Sequence, residues 1–580
     1  MAHRAFTTHP LVVRRVTVRR IEEVTPRMRR VVVGGPGLAE AVVDGHPQPA
    51  FTSPGFDDHI KLILAPGADI DSALPAQLEH GIEWTPSETR VTRDYTPRRV
   101  DLEHGEIDLD FVRHGDGPAA RWADRARVGD ELAFVGPKSS LRFPQDVEWI
   151  LLVADETGLP AVGRFLDERP LDAPAHIVLL VEDDSARQSL ALRDGDTVSW
   201  HVASAGDPGP LEAAVRAVRI PDGAGYAWAA AESRALLPVR RYLQREAGLP
   251  KDRLNITGYW HAAPAEADGA GEPVAAAPEI ASPVPWLVTR AAVQLGLVDA
   301  LADGPAPGDV LAARMGIPAP TLAGLLPVLA EHGVVVDADG FLALGPVGEG
   351  LLDDHEREEF TGFEADLALS LVQLASALHE GVPAWRRHTG QTVAEAAETE
   401  VEIARELVEH GGRLAYLSDG LIPELADLSS ALLIGPGSAA IVHALEDAGR
   451  SDIALSVLDR GALRDVLHGA VEGPGSIAWM PRESDVAILS FALDHRTGTE
   501  SAHILSEAAR YAPRAILIES TRPDTLGGGA GEAHAAHLAR TGSPYRGAES
   551  LARIAETAGW RSSRSIELGW GVEALLLERR

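Results

Sequence analysis

The sequence predicts a multidomain protein: an antiparallel β-barrel, an α/β domain with a parallel sheet, an α-helical winged-helix domain, then a second, doubly wound α/β domain. Three observations carry this prediction. The chain has 580 residues, too many for a single hydrophobic core. Short β-branched segments crowd its first quarter, whereas apolar strands and amphipathic helices alternate afterwards. Near the middle, "HAAPAEADGAGEPVAAAPEIA" (261–281) consists largely of Ala, Pro, Gly and Glu and has no apolar period, which is a linker composition.

Residues 1–146 hold "LVVRRVTVRRIEEVT", "MRRVVVGG", "DHIKLILA", "TRDYTPRRVD", "EIDLDFVRHG" and "DELAFVGPKSS", six strands separated by Gly, Pro and Asp, with one helix at "GPAARWADRAR". That spacing fits a barrel. Residues 147–262 alternate "VEWILLVADETGLPAVGRFLDER", "AHIVLLVEDD", "TVSWHVAS", "GYAWAAAESRALLPVRRYLQREAG" and "RLNITGYW", the rhythm of a parallel sheet covered on both faces. The linker occupies 263–281. Over 282–350, three helices and "GVVVDADGFLALG", two short strands about a turn, form a winged-helix unit. Residues 351–580 begin as a helical segment to about 428, and then "ALLIGPGSAAIVHALEDAG", "IALSVLD", "SDVAILSFAL", "PRAILIES" and "VEALLLE" resume the α/β alternation.

The formal net charge of −33 argues against broad binding to nucleic acid or an anionic membrane surface. An anionic ligand must be held by a local cluster. The absence of cysteine excludes disulfides, thiolate-bound iron–sulfur clusters and a thiol nucleophile. The basic N-terminus lacks the apolar core of a signal peptide, and no apolar run suffices to cross a bilayer, so a cytoplasmic protein is expected. Only Lys61, Lys138 and Lys251 occur among 53 basic residues, which makes a retained lysine a candidate for function; Lys251, in the loop "GLPKDR", reads as surface.

Against that acidic background "VTRDYTPRRVD" gathers Arg93, Arg98 and Arg99 around Tyr95. One reading is a strand ending at Pro97 with solvated arginines; the other is a dock for something flat and anionic. The second gains support from the segments around it. "DDHIKLIL", "TRDYTPR", "DLDFVRHGDGPAARWADRARVGDELAFVGPKSS", "ADETGLPA" and "GYW" stand in the order and spacing of the siderophore-interacting proteins. Residues 11–262 thus resemble these ferredoxin-reductase-like flavoenzymes, which reduce ferric siderophores.

The resemblance implies FAD, with NADH or NADPH as electron donor and a ferric siderophore as partner. Arg93 would hold a pyrophosphate oxygen, Tyr95 would lie against the isoalloxazine, and Thr96 would offer a hydroxyl or amide. Asp110, Phe111, Val112 and His114 would line the next strand; His114 reads equally well as an ordinary loop histidine. Gly117, Ala119 and Ala120 open a helix whose free N–H groups suit phosphates, and Ser139 belongs to the same cofactor set. In the next domain, which lacks Gly-x-Gly-x-x-Gly, Asp155, Glu156 and Thr157 would cap a helix and approach the nicotinamide, with Glu232, Tyr259 and Trp260 completing the pattern. Glu182 and Asp183 would repel a 2′-phosphate, leaning toward NADH. Lys61, Lys138 and His261 would form the basic docking cluster. His261 departs from the family's cation there, and histidine is charged only near or below about pH 6.5. The flavin carries the chemistry, so no catalytic residue and no resident metal are expected.

Residues 284–575 resemble small-molecule O-methyltransferases with an N-terminal dimerisation domain, on "AAVQLGLVDALADGPAPGDVLAARMGIPAPTLAGLLPVLAEHGVVV" and "SDVAILSFALDHRTGTESAHILSEAARYAPRAILIES". A homodimer through this region follows from the resemblance. The acidic-x-Gly-x-Gly loop of active members is "LLIGPGSAAI" here, with Leu433, Pro436 and Ala439 at the acid and glycine positions. Asp494 stands where the family places its histidine base, and His495 is displaced by one residue. Asp459 remains available for a ribose. These departures put S-adenosylmethionine in doubt and favour a structural module. The winged helix carries too little positive charge for DNA. His534 and His537 of "HAAH" read as two surface histidines. Two other readings remain open: a bifunctional flavin reductase–methyltransferase, and a non-catalytic ferric-chelate carrier.

Overall fold

The structure, a computed structural model, describes residues 6–85, 87, 89–113, 117–260, 282–302, 304–338, 340–471, 477–524 and 530–580. Two compact units emerge. Pro144–Asp366 form one, and the chain up to Phe143 joins Leu367–Arg580 in the other. His114, His261 and the linker lie outside the described residues.

In the second unit, the N-terminal sheet has strands β1 (Val13–Thr25), β2 (Met28–Gly34), β3 (Ile60–Leu64), β4 (Val91–Tyr95), β5 (Pro97–Asp101), β6 (Glu106–Val112) and β7 (Glu131–Val135). They are antiparallel in the order β5-β6-β2-β1-β7-β3-β4. The expected six-stranded barrel is corrected to a curled, open sheet of seven strands, because "TRDYTPRRVD" breaks at Thr96 into β4 and β5. These consecutive strands occupy opposite edges of the sheet with one residue between them, so the sheet must curl until its edges approach. Alternation along the strands sends Val31, Val33, Leu62, Leu109, Phe111 and Phe134 into one core. Helix α1 (Pro118–Arg125) adds Ala119 and Ala123 to it.

The same unit carries a six-stranded sheet built from β13 (Ser430–Ile434), β14 (Ala454–Val457), β15 (Val486–Ser490), β16 (Arg514–Ser520), β17 (Trp560–Gly569) and β18 (Val572–Arg579), in the order β14-β13-β15-β16-β18-β17. The first four strands in that order are parallel and the last two form an antiparallel hairpin.

The first unit contains a parallel sheet of β8 (Trp149–Ala154), β9 (Ala175–Val181), β10 (Thr197–Val202), β11 (Gly225–Glu232) and β12 (Leu254–Trp260), ordered β10-β9-β8-β11-β12. Helices α2 (Leu159–Glu168), α3 (Pro208–Arg216) and α4 (Ser233–Arg241) connect its strands. The order reverses between β8 and β11, and an open α/β sheet binds ligands in the crevice at the carboxyl ends flanking such a switch. Beyond it, four helices (Val284–Gln294, Leu297–Leu301, Gly308–Met315, Ala319–Glu331) precede a hairpin of Val335–Ala338 and Phe341–Leu344. Three helices were expected; Gly296, at φ 78°, turns the chain and starts the short extra one.

Candidate functional site

Arg93, Tyr95 and Thr96 sit at the β4 edge. The guanidinium of Arg93 is exposed and, among the described residues, donates only to the Thr92 carbonyl, at 2.7 Å. Tyr95 is half-buried against the core. Its ring lies 4.5 Å from that of Phe111, which in turn lies 5.6 Å from Trp122. Burial pushes the phenol well above its ordinary range, with Arg93 opposing, so Tyr95 acts as a neutral aromatic surface. Thr96 is 6% exposed, and its hydroxyl has no hydrogen-bond partner. A buried hydroxyl left without a partner costs on the order of 1–3 kcal/mol. That orphan beside an aromatic face and an uncommitted guanidinium fits a flat ligand with an anionic tail.

Helix α1 starts at an open N-terminus. No side chain caps this end and Pro118 has no N–H of its own, so the first-turn amides of Ala119 and Ala120 have no partner within the helix. Phe111 and Val112 are buried in the sheet, Ala119 is buried under the helix and Ser139 is half-buried. Asp110 is not a free group. Arg30 grips it with two hydrogen bonds of 2.7 and 2.8 Å, directly across the β2–β6 register.

Of the proposed basic cluster, Lys61 and Lys138 belong to this sheet and its following loop. Lys61 faces Asp94 across the β3–β4 register and pairs with it at 2.8 Å. Lys138 projects its ammonium 4.9 Å from the ring centre of Tyr416. Burial lowers its pKa, Asp94 raises it, and the charge of Lys61 lowers it further.

In the other unit, Asp155 directly follows β8 and Glu232 ends β11, one on each side of the switch point. Asp155 is 1% exposed and accepts four hydrogen bonds: from the Thr157 amide (2.8 Å) and hydroxyl (2.6 Å), the Glu232 amide (2.9 Å) and the Trp260 indole (2.8 Å). Burial pushes its carboxyl up against the pull of those donors. The expectation that residues 155–157 cap a helix is corrected: Gly158 is the N-cap of α2 and no side chain caps it, because Asp155 is consumed by this network. Glu156 accepts from the Glu182 amide at 2.9 Å, and Glu232 caps α4 through the Ala235 amide. Tyr259 lies edge-on to Trp228. Glu182 accepts from the Ala205 amide, and Asp183 accepts from the Ser185 amide.

The C-terminal sheet has its own candidate residues, some paired within the chain and some not: His495 Nδ1 and His537 Nε2 are buried with no hydrogen-bond partner among the described residues. Asp459 is fully desolvated, which raises its pKa, and it takes the Gly435 amide at 2.7 Å. A cavity of about 380 Å³ opens beside it, with Arg460, Arg496, Glu500 and Glu507 in its wall. Leu433 is 1% exposed in the core. Asp494 accepts from Ser520 at 2.8 Å and lies 3.6 Å from Arg413. His495 is buried and held well below its ordinary pKa by desolvation and by Arg496. His537 is also buried, 2% exposed and stacked 4.2 Å from Tyr545, which corrects its reading as a surface residue. Among the described residues no group of three metal-ligating side chains forms.

The chain thus sets a curled antiparallel sheet, with Arg93 and Thr96 at one edge, before a five-stranded parallel sheet with Asp155 and Glu232 at its switch point, a two-domain arrangement. Residues 17–141 match the siderophore-interacting FAD-binding domain and residues 147–263 the siderophore-interacting protein domain. A curated "NADPH-dependent ferric-chelate reductase" of Escherichia coli is 34% identical over 252 residues, 43% of this chain and 93% of that one. The "ferric vibriobactin reductase" of Vibrio cholerae is 26% identical, covering 41% of this chain and 91% of that one. By this evidence the chain belongs to the siderophore-interacting protein family. Among solved structures, an O-methyltransferase from neocarzinostatin biosynthesis covers 52% of this chain and 97% of its own at 21% identity and a TM-score of 0.42. No single described helix is long and apolar enough to cross a membrane.

Proposed function

We propose that the chain is an FAD-dependent reductase of ferric siderophores that uses NADH or NADPH and releases iron as iron(II). The observation that carries this reading is the unfilled hydrogen-bonding capacity, among the described residues, at Arg93 and Thr96, which flank Tyr95 in the sequence. Arg93 and the amides of Ala119 and Ala120 would hold the pyrophosphate, Tyr95 would support the ring system and Thr96 would donate to its polar edge. The chemistry a bound FAD supplies is the exchange of a two-electron hydride donor for single-electron delivery to iron(III). The protein's residues bind and orient; none of them has to move a proton.

The Asp155 network fixes Trp260 and the start of α4 at the switch point, where the nicotinamide nucleotide would dock. Glu182 and Asp183 at the end of β9 support NADH, whereas the E. coli relative is NADPH-dependent by name. Comparing the KM values of the two donors distinguishes them. Lys61 and Lys138 would dock the anionic chelate, and iron(II) then leaves because it binds hard oxygen donors less tightly than iron(III) does. The capture of Asp459 by Gly435 and the burial of Leu433 support a C-terminal module that does not transfer methyl groups. Val284, Leu287, Phe341 and Val347 are exposed apolar side chains that a second copy would cover, and sedimentation velocity would show the dimer.

The test is anaerobic spectroscopy on the purified full chain. Flavin bands should bleach with NADH or NADPH and return on addition of a ferric chelate, with iron(II) trapped by a colorimetric chelator. A colourless protein whose tryptophan emission is quenched by ferric chelate would replace this reading with the carrier. Heat on titration with S-adenosylmethionine would favour the bifunctional enzyme.

A further inference from the structure

The appended module shares a compact unit with the curled sheet, and the contact between them is a built one. Gly81 and Gly569 have no room for a side chain: a Cβ on either would come within 2.7 Å of a carbonyl oxygen across the junction, that of Leu568 or of Ile82. Between them Glu83, 8% exposed, accepts from the Gly571 amide at 3.1 Å and pairs with Arg522 at 2.8 Å. Trp570, held at φ 50°, packs against both the C-terminal core and the N-terminal cluster of Leu11, Ile82 and Trp84. A tryptophan in the left-handed region needs its surroundings to hold it there. A second ion pair, Arg142 to Asp447, spans the same junction at 3.3 Å.

That seam runs beside the basic pair. Tyr416 of the module packs 5.8 Å from Trp570 and presents its ring to the ammonium of Lys138. Lys138 also lies close enough to Lys61 for each to feel the other's charge, and its carbonyl accepts from the His9 amide at 3.0 Å. One lysine of the pair is thus shared with Asp94 and the other with an aromatic face.

We propose that the C-terminal module forms one wall of the chelate-docking site, with Tyr416 a specificity-determining residue that favours ferric chelates bearing flat aromatic donors. The cation above the ring would meet the negative charge of the chelate while the phenol ring packs against its aromatic groups. This rests on Lys138 docking the chelate, as proposed above, and gives the methyltransferase-like module a role that needs no methyl transfer.

The test uses the full chain and two probes, a ferric tricatecholate and ferric citrate, with binding read by tryptophan quenching and turnover read separately. Tyr416→Ala should weaken the tricatecholate about five- to tenfold, the equivalent of one aromatic contact, and ferric citrate by less than about twofold. Tyr416→Phe should restore the tricatecholate. Flavin content, and reduction of ferricyanide, which needs no docking site, should stay at the starting level. Arg522→Glu, which repels Glu83 and loosens the seam, should reproduce the Tyr416→Ala loss without touching the rim. Equal affinities for both probes across all variants overturn the inference, even where the starting protein reduces ferric chelates normally. A starting protein that binds chelate and responds to Tyr416→Ala but fails to turn over would leave the wall in place and sink the reductase reading.

Discussion

The edge at β4, inside the matched FAD-binding domain, and the loop after β13 differ in how their polar groups are satisfied. At β4 an exposed guanidinium has one hydrogen bond and a buried hydroxyl has none. At the loop after β13 Asp459 is spent on the Gly435 amide and an apolar Leu433 closes the core, although farther along the same sheet His495 Nδ1 and His537 Nε2 are buried with no partner among the described residues. Polar groups left unpaired cost stability, so a protein retains them where a ligand completes them. A loop that satisfies itself has no such need. The state of the hydrogen-bond donors and acceptors, and not the presence of a motif alone, is what distinguishes these two places.

The largest test of that contrast is Leu433→Asp, which rebuilds the family's acid in the retired loop. Because the position is 1% exposed and packed in a core, an unpaired carboxylate there should cost about 4 kcal/mol. Chemical denaturation should show the loss, and calorimetry should show no gain of S-adenosylmethionine binding. A stable variant that binds it would mean the loop is still a site. Next in size is Arg93→Ala at the other edge. Losing a charged hydrogen-bond donor to pyrophosphate should weaken FAD retention about tenfold to a hundredfold, measured by flavin co-eluting on gel filtration. Undiminished retention would move the anchor elsewhere.

The C-terminal module should also carry a pH signature. His537 is held at about 4, first by burial, with Arg540 and Arg546 adding to it and Asp494 opposing. The unfolded chain takes a proton near pH 6.5 while the folded one does not, so stability is present above that value and falls as the pH drops toward the folded pKa. By pH 5 the loss is about 2 kcal/mol. Tm measured at pH 7 and pH 5 should fall less for His537→Phe, which keeps the stacking on Tyr545. Parallel falls would show that His537 does not report on the region.

Much of the contrast was legible in the sequence, and the missing part has a physical cause. The Arg-x-Tyr-Thr segment is contiguous, so its chemistry can be read without knowing the fold. Leu433 and Pro436 likewise announce a damaged loop. What a linear reading lacks is cross-strand register. Lys61 meets Asp94 and Arg30 meets Asp110 only because those strands pair in one alignment, and each pairing removes a charge that the sequence shows as available. The sequence also counted one strand where Thr96 makes two. The seam through Trp570 joins segments from opposite ends of the chain, and only the glycines on either side of that residue hinted at a close approach.

Thr96→Val gives the finest separation between a site awaiting a ligand and a site that has closed. Valine has nearly the shape of threonine and removes the one hydroxyl that, among the described residues, is buried without a partner. Without flavin, the variant should be as stable as the starting protein or slightly more so, since the desolvation cost of that hydroxyl disappears. With flavin, it should lose about 1 kcal/mol of binding, roughly fivefold in affinity, because the donor no longer meets the ring. The two effects have opposite signs, which a purely packing role cannot produce. Melting of flavin-free protein and titration with FAD measure them separately, and a variant destabilised without flavin would assign Thr96 to the core instead.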